Sequence, residues 1–301
     1  MTEDEARAFI EELRWPNGPI CPHCQSTDVY KITPKTAKSK TRPGLYSCAK
    51  CRKQFTVTVG TIFEGSRIPL SKWVVAFYLM NSSKKGISAH QLHRTLGVTY
   101  KTAWFMEHRI RESMSKEPVA ALLSGVVEAD ETYIGGKEKN KHASKRTKGN
   151  QGRSTKTKTP VAILVERDGR VLAQKVVSTD AKTLKNNIRN NVAKSATIVT
   201  DEWIAYAGLD AEFAGHEVVE HRRGEYVRGN AYTNTAESWI ALLKRGIVGT
   251  FHHVSEQHLD RYVNEFGFRW NHRKSSDVER MKAAIRGAEG KRLYYRDPVK
   301  H

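Results

Sequence analysis

Val126-Val127-Glu128-Ala129-Asp130-Glu131-Thr132-Tyr133-Ile134 is rich in β-branched residues and reads as a strand that carries an aspartate inside it. Working outward, residues 160–166 and 171–177 are apolar runs flanking Asp168-Gly169, which predicts a β-hairpin. A helical pattern over 180–193 follows, and then the strand Ala196-Thr197-Ile198-Val199-Thr200-Asp201. If the strands ending near Asp130 and Asp201 are parallel neighbours, their carboxylates converge at one rim, as a divalent-cation site requires. Taken alone, Asp201 would equally cap a helix starting at Glu202-Trp203. The joint placement of the two aspartates favours the rim.

Strand, hairpin, helix, strand is the order of an RNase H-like α/β domain. A Rossmann reading fails because no strand leads into a G-x-G-x-x-G turn. A further helix is predicted over Thr233-Asn234-Thr235-Ala236-Glu237-Ser238-Trp239-Ile240-Ala241-Leu242-Leu243-Lys244-Arg245. At about 100° per residue, Glu237 and Lys244 project in nearly one direction, with Asn234 one turn earlier. Trp239, Ile240 and Leu243 fill the opposite, apolar side. Such a helix can offer a carboxylate and a lysine to a metal site, although an exposed amphipathic helix has the same pattern.

Charge narrows the partner. The 301 residues include 51 Lys+Arg against 32 Asp+Glu, a formal net charge of +19. Clustered cations gain free energy by releasing counterions from phosphates, so nucleic acid is expected ahead of an anionic membrane surface. The 39% hydrophobic content excludes a disordered tail protein and predicts two or three folded units. Residues 1–14 are acidic and lack the apolar run of a secretory signal. The longest strongly apolar stretch, 73–80, is far shorter than the roughly 20 residues of a membrane span. A soluble protein of a reducing compartment is expected, with cysteines that bind metal before they form disulfides.

All four cysteines fall in two C-x2-C pairs, Cys21/Cys24 and Cys48/Cys51, separated by 23 residues. Each turn aims two thiolates at one centre, and two turns complete a tetrahedral structural Zn²⁺ site with no open position for catalysis. His23 reads as a loop residue. Lys31, Lys35, Lys38, Lys40 and Arg42 in the intervening loop suit a phosphate-facing surface, as they would a solvated loop. Further on, Trp73, Phe77 and Met80 recur at helical spacing. Residues 87–93 then lead through Gly97 to a second helix near Thr99, with Ile110 on its buried side. That order predicts a helix-turn-helix, with Tyr100, Lys101 and Arg109 contacting DNA and Trp104 and Met106 in the core.

Residues 137–158 hold nine Lys or Arg, including Lys145, Arg146 and Lys148, and almost nothing apolar. Such a run is either a solvated loop or an arm that steers DNA toward the carboxylates. Near the C-terminus, His252, His253, His258, Arg261, Glu265, Arg269 and Arg273 alternate with Leu259, Tyr262, Phe266 and Phe268 on an expected packing helix with phosphate contacts. Residues 287–301 read as a frayed polar tail.

The motifs Glu11-Glu12-Leu13-Arg14-Trp15-Pro16, Ala129-Asp130-Glu131-Thr132-Tyr133-Ile134-Gly135-Gly136, Thr200-Asp201-Glu202-Trp203, Asn234-Thr235-Ala236-Glu237-Ser238 through Lys244-Arg245, and Phe266-Gly267-Phe268-Arg269-Trp270-Asn271-His272-Arg273 extend over nearly the whole chain. Together they resemble the DDE transposases of bacterial insertion sequences, of the ISXO2-like type with a zinc ribbon before the catalytic domain. The 35 residues between Asp201 and Glu237 match the spacing common in these enzymes. The resemblance implies that Asp130 bridges two Mg²⁺ or Mn²⁺ ions, that Asp201 holds one and Glu237 the other, and that Lys244 and Arg245 face transposon-end DNA. Some relatives have Asn as the third member, here Asn234; Glu237 is favoured because a carboxylate binds Mg²⁺ more strongly than an amide. Glu131 and Glu202 would then be supporting or capping residues.

The resemblance also implies binding of terminal inverted repeats, then cleavage and strand transfer by two-metal phosphoryl transfer without a covalent protein nucleophile. Its partners would be double-stranded transposon-end and target DNA and further copies of the chain, as a homodimer or larger, in the cytoplasm at the nucleoid and not on a membrane. The expected division is an N-terminal helix and zinc ribbon over 1–65, a helix-turn-helix over 66–118, an RNase H-like catalytic domain over 119–275 with its basic loop at 137–158, and a tail over 276–301. Two other readings are a domesticated zinc-ribbon and helix-turn-helix regulator without catalysis, and a structure-specific RNase H-like nuclease that cuts without joining.

Overall fold

The first of two units comprises Met1–Ser115 and Ser275–His301, the second Lys116–Lys274. The structure, a computed structural model, describes residues 1–33, 41–115, 121–149, 154–225 and 227–298. Lys35, Lys38 and Lys40 of the ribbon loop and Arg153 of the basic run lie outside the described residues.

In the first unit, α1 (Glu3–Arg14) starts at a capping box between Thr2 and Glu5 and buries Ala6, Ile10 and Leu13. The short strands β1 (Val29–Lys31), β2 (Tyr46–Cys48) and β3 (Gln54–Phe55) pair antiparallel in that order. Trp15, Tyr46 and Phe55 pack ring to ring at 5.6–5.9 Å, giving this small sheet an aromatic core. The helix α2 (Leu70–Ser82) buries Trp73, Phe77 and Met80, as their spacing predicts. Next, α3 (Ala89–Leu96) stops at Gly97, which takes φ +61°, a backbone value that strains side-chain-bearing residues. The next helix, α4 (Tyr100–Ser113), begins after Thr99, whose hydroxyl accepts the Thr102 N–H at 3.2 Å. Helix, glycine turn and helix are thus present where the sequence predicts them.

In the second unit, β4 (Val126–Ile134), β5 (Thr159–Glu166) and β6 (Val171–Lys175) form an antiparallel meander. After α5 (Ala181–Asn191), β7 (Thr197–Asp201) joins β4 in parallel, and β8 (Gly215–Val219) joins β7 in parallel. The sheet order is β6-β5-β4-β7-β8. This mixed sheet makes an α/β domain consistent with an RNase H-like fold. Two helices follow, α6 (Asn234–Gly246) and α7 (Leu259–Asn271). The hairpin turn forms at Asp168, with φ +56°, a value Asp tolerates better than most residues. No pattern predicts β8: it is an edge strand with only Val219 buried, so no apolar alternation marks it.

Both faces of the sheet are covered, which explains the unbroken apolar run of β5. Ala162 and Leu164 face Leu184 and Ile188 of α5, while Val161, Ile163 and Val165 face Trp239, Leu243 and Phe266. Along β4, Val127 and Ala129 take the α5 side and Ile134 the α6 side. Glu128, Asp130 and Thr132 share the parity of Ile134, so they face α6.

Residues 276–298 are not a loose extension. The helix α8 (Asp277–Arg286) buries Met281, Ala284 and Ile285 in the first unit, and Leu293 is buried beyond it. Met281, Ala284 and Ile285 recur at i, i+3 and i+4 behind a Ser276 cap on the Glu279 N–H, so the segment carries a local helix signal. Among the described residues no helix is long and apolar enough to cross a membrane.

Candidate functional site

Two equivalent turns build the cysteine cluster. In each, the residue after the second cysteine, Gln25 or Arg52, adopts φ near +60° and returns its N–H to the first cysteine's carbonyl at 2.9 Å. The Sγ atoms of Cys21 and Cys51, and of Cys24 and Cys48, lie 3.6 Å apart, and all four cysteines are free thiols. That is too long for a disulfide and close to the spacing of about 3.8 Å that four thiolates take around Zn²⁺ at about 2.3 Å. The four-thiol geometry therefore fits a structural zinc. The Cys51 N–H directed at Cys48 lowers that thiol to about 7, while, against the Ser26 N–H, loss of water and the other cysteines push Cys24 up to about 12, so the four sulfurs do not share charge evenly without a cation.

The carboxylates are arranged differently. Val126, Val127 and Glu128 of β4 pair with Thr197, Ile198 and Val199 of β7, and two more residues of that register set Asp130 level with Asp201. The parallel pairing on which the rim argument depends is present. Asp130 Oδ1 accepts the Glu131 N–H at 2.7 Å, and Asp201 Oδ1 accepts the Trp203 N–H at 3.0 Å, so Asp201 caps the turn after its strand as well as ending it. Burial pushes the Asp130 carboxyl up to about 7, and the charges of Glu131, Asp201 and Glu237 push the same way, against the Glu131 N–H. Glu237, in the first turn of α6, is exposed; its Oε1 lies 3.4 Å from Thr233 Oγ1 and 3.7 Å from His221 Nδ1. Among the described residues, only the four cysteines bring three or more ligand atoms within 4.8 Å of one another. The carboxylates do not close to ligand distance. Hard oxygen donors whose charges repel one another fit a divalent cation, which would relieve that repulsion.

The surrounding acids divide by face. Glu131 points to the α5 side of the sheet, where it is buried and accepts the Tyr206 hydroxyl at 2.9 Å. Burial first, then the Glu131 and Asp130 charges, raises the Tyr206 pKa well above its usual range and keeps the phenol a donor. Glu202 Oε2 accepts the His221 N–H at 2.9 Å, tying the end of β7 to the end of β8. Lys244 is exposed on α6; loss of water lowers its pKa, the Asp130 charge raises it and Lys158 lowers it again. Asn234 and Arg245, on the same helix, are exposed too.

The DNA-facing expectations fare unevenly. Tyr100 and Lys101 are exposed at the start of α4, where the Tyr100 ring stacks on His90 with centroids 4.4 Å apart. Arg109 must be corrected: it is buried, donates to the carbonyls of Leu293 and Glu64 at 3.1 Å each, and lies over the Phe105 ring. It sits one helical turn before Ser113 on the inward face, so it ties α4 to the backbone at Glu64 and at Leu293 instead of meeting phosphate. Trp104 is partly buried and Met106 fully, as expected.

In the basic run, Lys145, Arg146 and Lys148 are exposed. Arg146 donates to the carbonyls of Lys139 and Lys141 at 3.0 and 3.1 Å, and Glu138 binds Lys141 Nζ and the Thr147 N–H. The run's single acid therefore folds it back on itself. Near the end of the second unit, Glu265 and Arg269 form a buried ion pair on α7, a packing role.

Sequence reading missed Glu128 and Arg167. The signal was available: a glutamate two residues before Asp130 in a strand, on the same face, is a charge where burial is expected.

Comparison with known proteins gives a consistent picture. A family described as "ISXO2-like transposase domain" matches residues 122–271, and one described as "Transposase zinc-ribbon domain" matches residues 1–54. The "Uncharacterized protein in transposable element ISH50" of Halobacterium salinarum is 29% identical over 297 residues, covering 96% of this chain and 97% of that protein. The solved Mos1 Strand Transfer Complex aligns with 72% of this chain and 78% of its own at 12% identity, with a TM-score of 0.30. A pre-cleavage Mos1 transpososome aligns with 69% and 75% at 13% identity, with a TM-score of 0.26. Likenesses that weak carry none of the assignments.

Proposed function

This chain belongs to the family of ISXO2-like transposases, and we propose that it binds the terminal inverted repeats of an insertion sequence and catalyses metal-dependent DNA strand cleavage and strand transfer. The observation that carries this reading is the register setting Asp130 level with Asp201 on adjacent parallel strands, with the Glu237 charge felt at Asp130. Bound by these carboxylates, Mg²⁺ or Mn²⁺ would lower the pKa of an attacking water or 3′-hydroxyl and neutralise charge on the leaving oxygen.

The chain's own residues supply the rest. Asp130 and Asp201 sit on backbone fixed by the sheet, so their separation does not drift. Glu237, with Asn234 one turn away as the other possible third member, arrives on α6. Lys244, whose ammonium is close enough to Asp130 to feel its charge, would hold a DNA phosphate beside the reacting atoms, and Arg245 a neighbouring one. In the first unit, α3 and α4 act as a helix-turn-helix, with Tyr100 and Lys101 at the exposed start of the recognition helix. Lys145, Arg146 and Lys148 add phosphate contacts. The functional division is a ribbon over 1–65, a helix-turn-helix over 66–118 and an RNase H-like catalytic domain over 119–275. Two ends must be paired, so the working form is a homodimer or larger.

The test is Mg²⁺-dependent nicking and joining of DNA that carries the element's flanking repeats. Cleavage at repeat ends followed by joining supports the proposal. Binding without cutting would leave a regulator, and cutting without joining or end preference would leave a nuclease.

A further inference from the structure

The Glu128 carboxylate, on β4, is completely buried. Its Oε2 accepts the N–H groups of Thr235 at 2.8 Å and Ala236 at 2.9 Å. Its Oε1 accepts the Thr235 hydroxyl and Arg167 Nε, both at 2.9 Å. Arg167 then donates Nη1 to the Asn230 carbonyl at 2.7 Å and Nη2 to the Tyr232 carbonyl at 2.8 Å, with its guanidinium 3.6 Å from the Tyr232 ring centroid. Thr233 precedes α6 but makes no side-chain cap. A strand residue 107 positions away in sequence from Thr235 therefore does the work of a helix cap.

A buried ion pair is a poor way to gain stability, because desolvation offsets most of the attraction, and a local serine or threonine would cap α6 more simply. What the long-range cap adds is register. Two adjacent helix N–H groups bound to one oxygen fix both the rotation of α6 and its height against β4. Glu128 is two residues before Asp130 on the same face, and Ala236 is the residue before Glu237. We propose that Glu128, held by Arg167, is the positioning residue that sets the distance from Asp130 to Glu237, and so decides whether the carboxylates can share a cation. This role rests on the metal-site reading of the same carboxylates.

The chain contains its own control. In the first unit Glu3 caps α2 in the same long-range way, accepting the N–H groups of Leu70 at 2.9 Å and Ser71 at 3.1 Å, while its neighbours Asp4 and Glu5 are engaged by Arg7 and the Thr2 N–H. The experiment measures Mn²⁺ affinity of the full chain by electron paramagnetic resonance, alongside Tm, DNA binding and cleavage, for Glu128→Asp, Arg167→Lys, Glu3→Gln and Asp130→Asn. Glu128→Asp keeps the charge but retracts the oxygens by one methylene. Well below its Tm it should bind DNA normally, weaken Mn²⁺ about tenfold and lose about 100-fold in cleavage, the scale expected for a misplacement of about 1 Å. Arg167→Lys should move Mn²⁺ affinity the same way by a smaller factor, and it carries the test if Glu128→Asp does not fold. Glu3→Gln should lower Tm without changing Mn²⁺ affinity.

Folded Glu128→Asp or Arg167→Lys with Mn²⁺ affinity and cleavage within twofold of the parent would overturn the proposal. So would Glu3→Gln weakening Mn²⁺ as much as Glu128→Asp, since the effect would then be general loss of stability. If Asp130→Asn also leaves Mn²⁺ binding unchanged, the metal-site reading itself fails; if Asp130→Asn abolishes it while Glu128→Asp does not, only the positioning role fails.

Discussion

The cysteine cluster and the carboxylate set are built by opposite means. Four thiols contributed by two turns within 31 residues close to 3.6 Å, because each turn aims its own pair and only one pairing of turns remains to be made. Three carboxylates spread over two strands and a helix stay apart, held by separate packing, and the charges of Asp201 and Glu237 add to the burial that raises Asp130. A metal completes the first arrangement by bonding groups already gathered. In the second, on the proposed reading, a metal would have to draw in groups that repel, so the backbone would have to carry the positional information.

The comparison is broken most easily at the ribbon. Cys48→Ser, or removal of Zn²⁺ by a chelator, should cost on the order of 10 kcal/mol of local folding free energy. Zinc content, and loss of the ribbon's amide resonances with the second unit's intact, would measure it; a chelated protein with an unchanged ribbon would show that the thiols alone suffice. At the carboxylates, Asp130→Asn or Asp201→Asn should lower cleavage and strand transfer by about 10³-fold or more while repeat binding persists. Normal excision by either variant would sink the metal assignment.

The raised Asp130 carboxyl gives a pH test of the same contrast. It titrates near 3.8 when unfolded and near 7 when folded. Its contribution to stability is therefore fully present below pH 4 and is lost as pH rises to about 7. Metal-free protein should lose Tm over that window more than Asp130→Asn does, and Mg²⁺ should restore it near neutrality. Equal slopes for the two proteins would mean that folding does not raise Asp130 at all, by burial or by its neighbours' charges.

Smaller effects separate structural cations from DNA-facing ones. Arg109→Ala should destabilise the first unit by about 1–3 kcal/mol and leave the salt dependence of DNA binding unchanged, because its partners are buried carbonyls. Neutralising Lys145, Arg146 and Lys148 should do the reverse, leaving Tm alone and shrinking the salt slope by about 0.9 for each phosphate no longer neutralised. An unchanged slope would make the run a solvated loop.

Legibility in the sequence followed the range of the interactions involved. The C-x2-C pairs, the Asp168-Gly169 turn, the glycine stop after α3 and the strand carrying Asp130 all follow from residues within a few positions of one another. Edge strand β8 escaped because only Val219 of its five residues is buried, too few for an alternation to show, whereas α8 offered a Ser276 cap and i, i+3, i+4 spacing that went unread. Arg109 misled because a cation on an amphipathic helix looks solvent-facing until its partners, 45 and 184 residues away, are known.

By itself, then, the sequence determined the zinc-ligand set, the order of the strands and helices other than β8 and α8, the basic character and the family, all of which are encoded in residue type and spacing. The tertiary structure alone decided that Asp130 stands level with Asp201, that Glu131 turns away to Tyr206, and that Glu128 reaches across to cap the helix carrying Glu237. Those outcomes depend on strand register and on which face of the sheet each helix covers, and both are set by the burial of side chains distant in sequence.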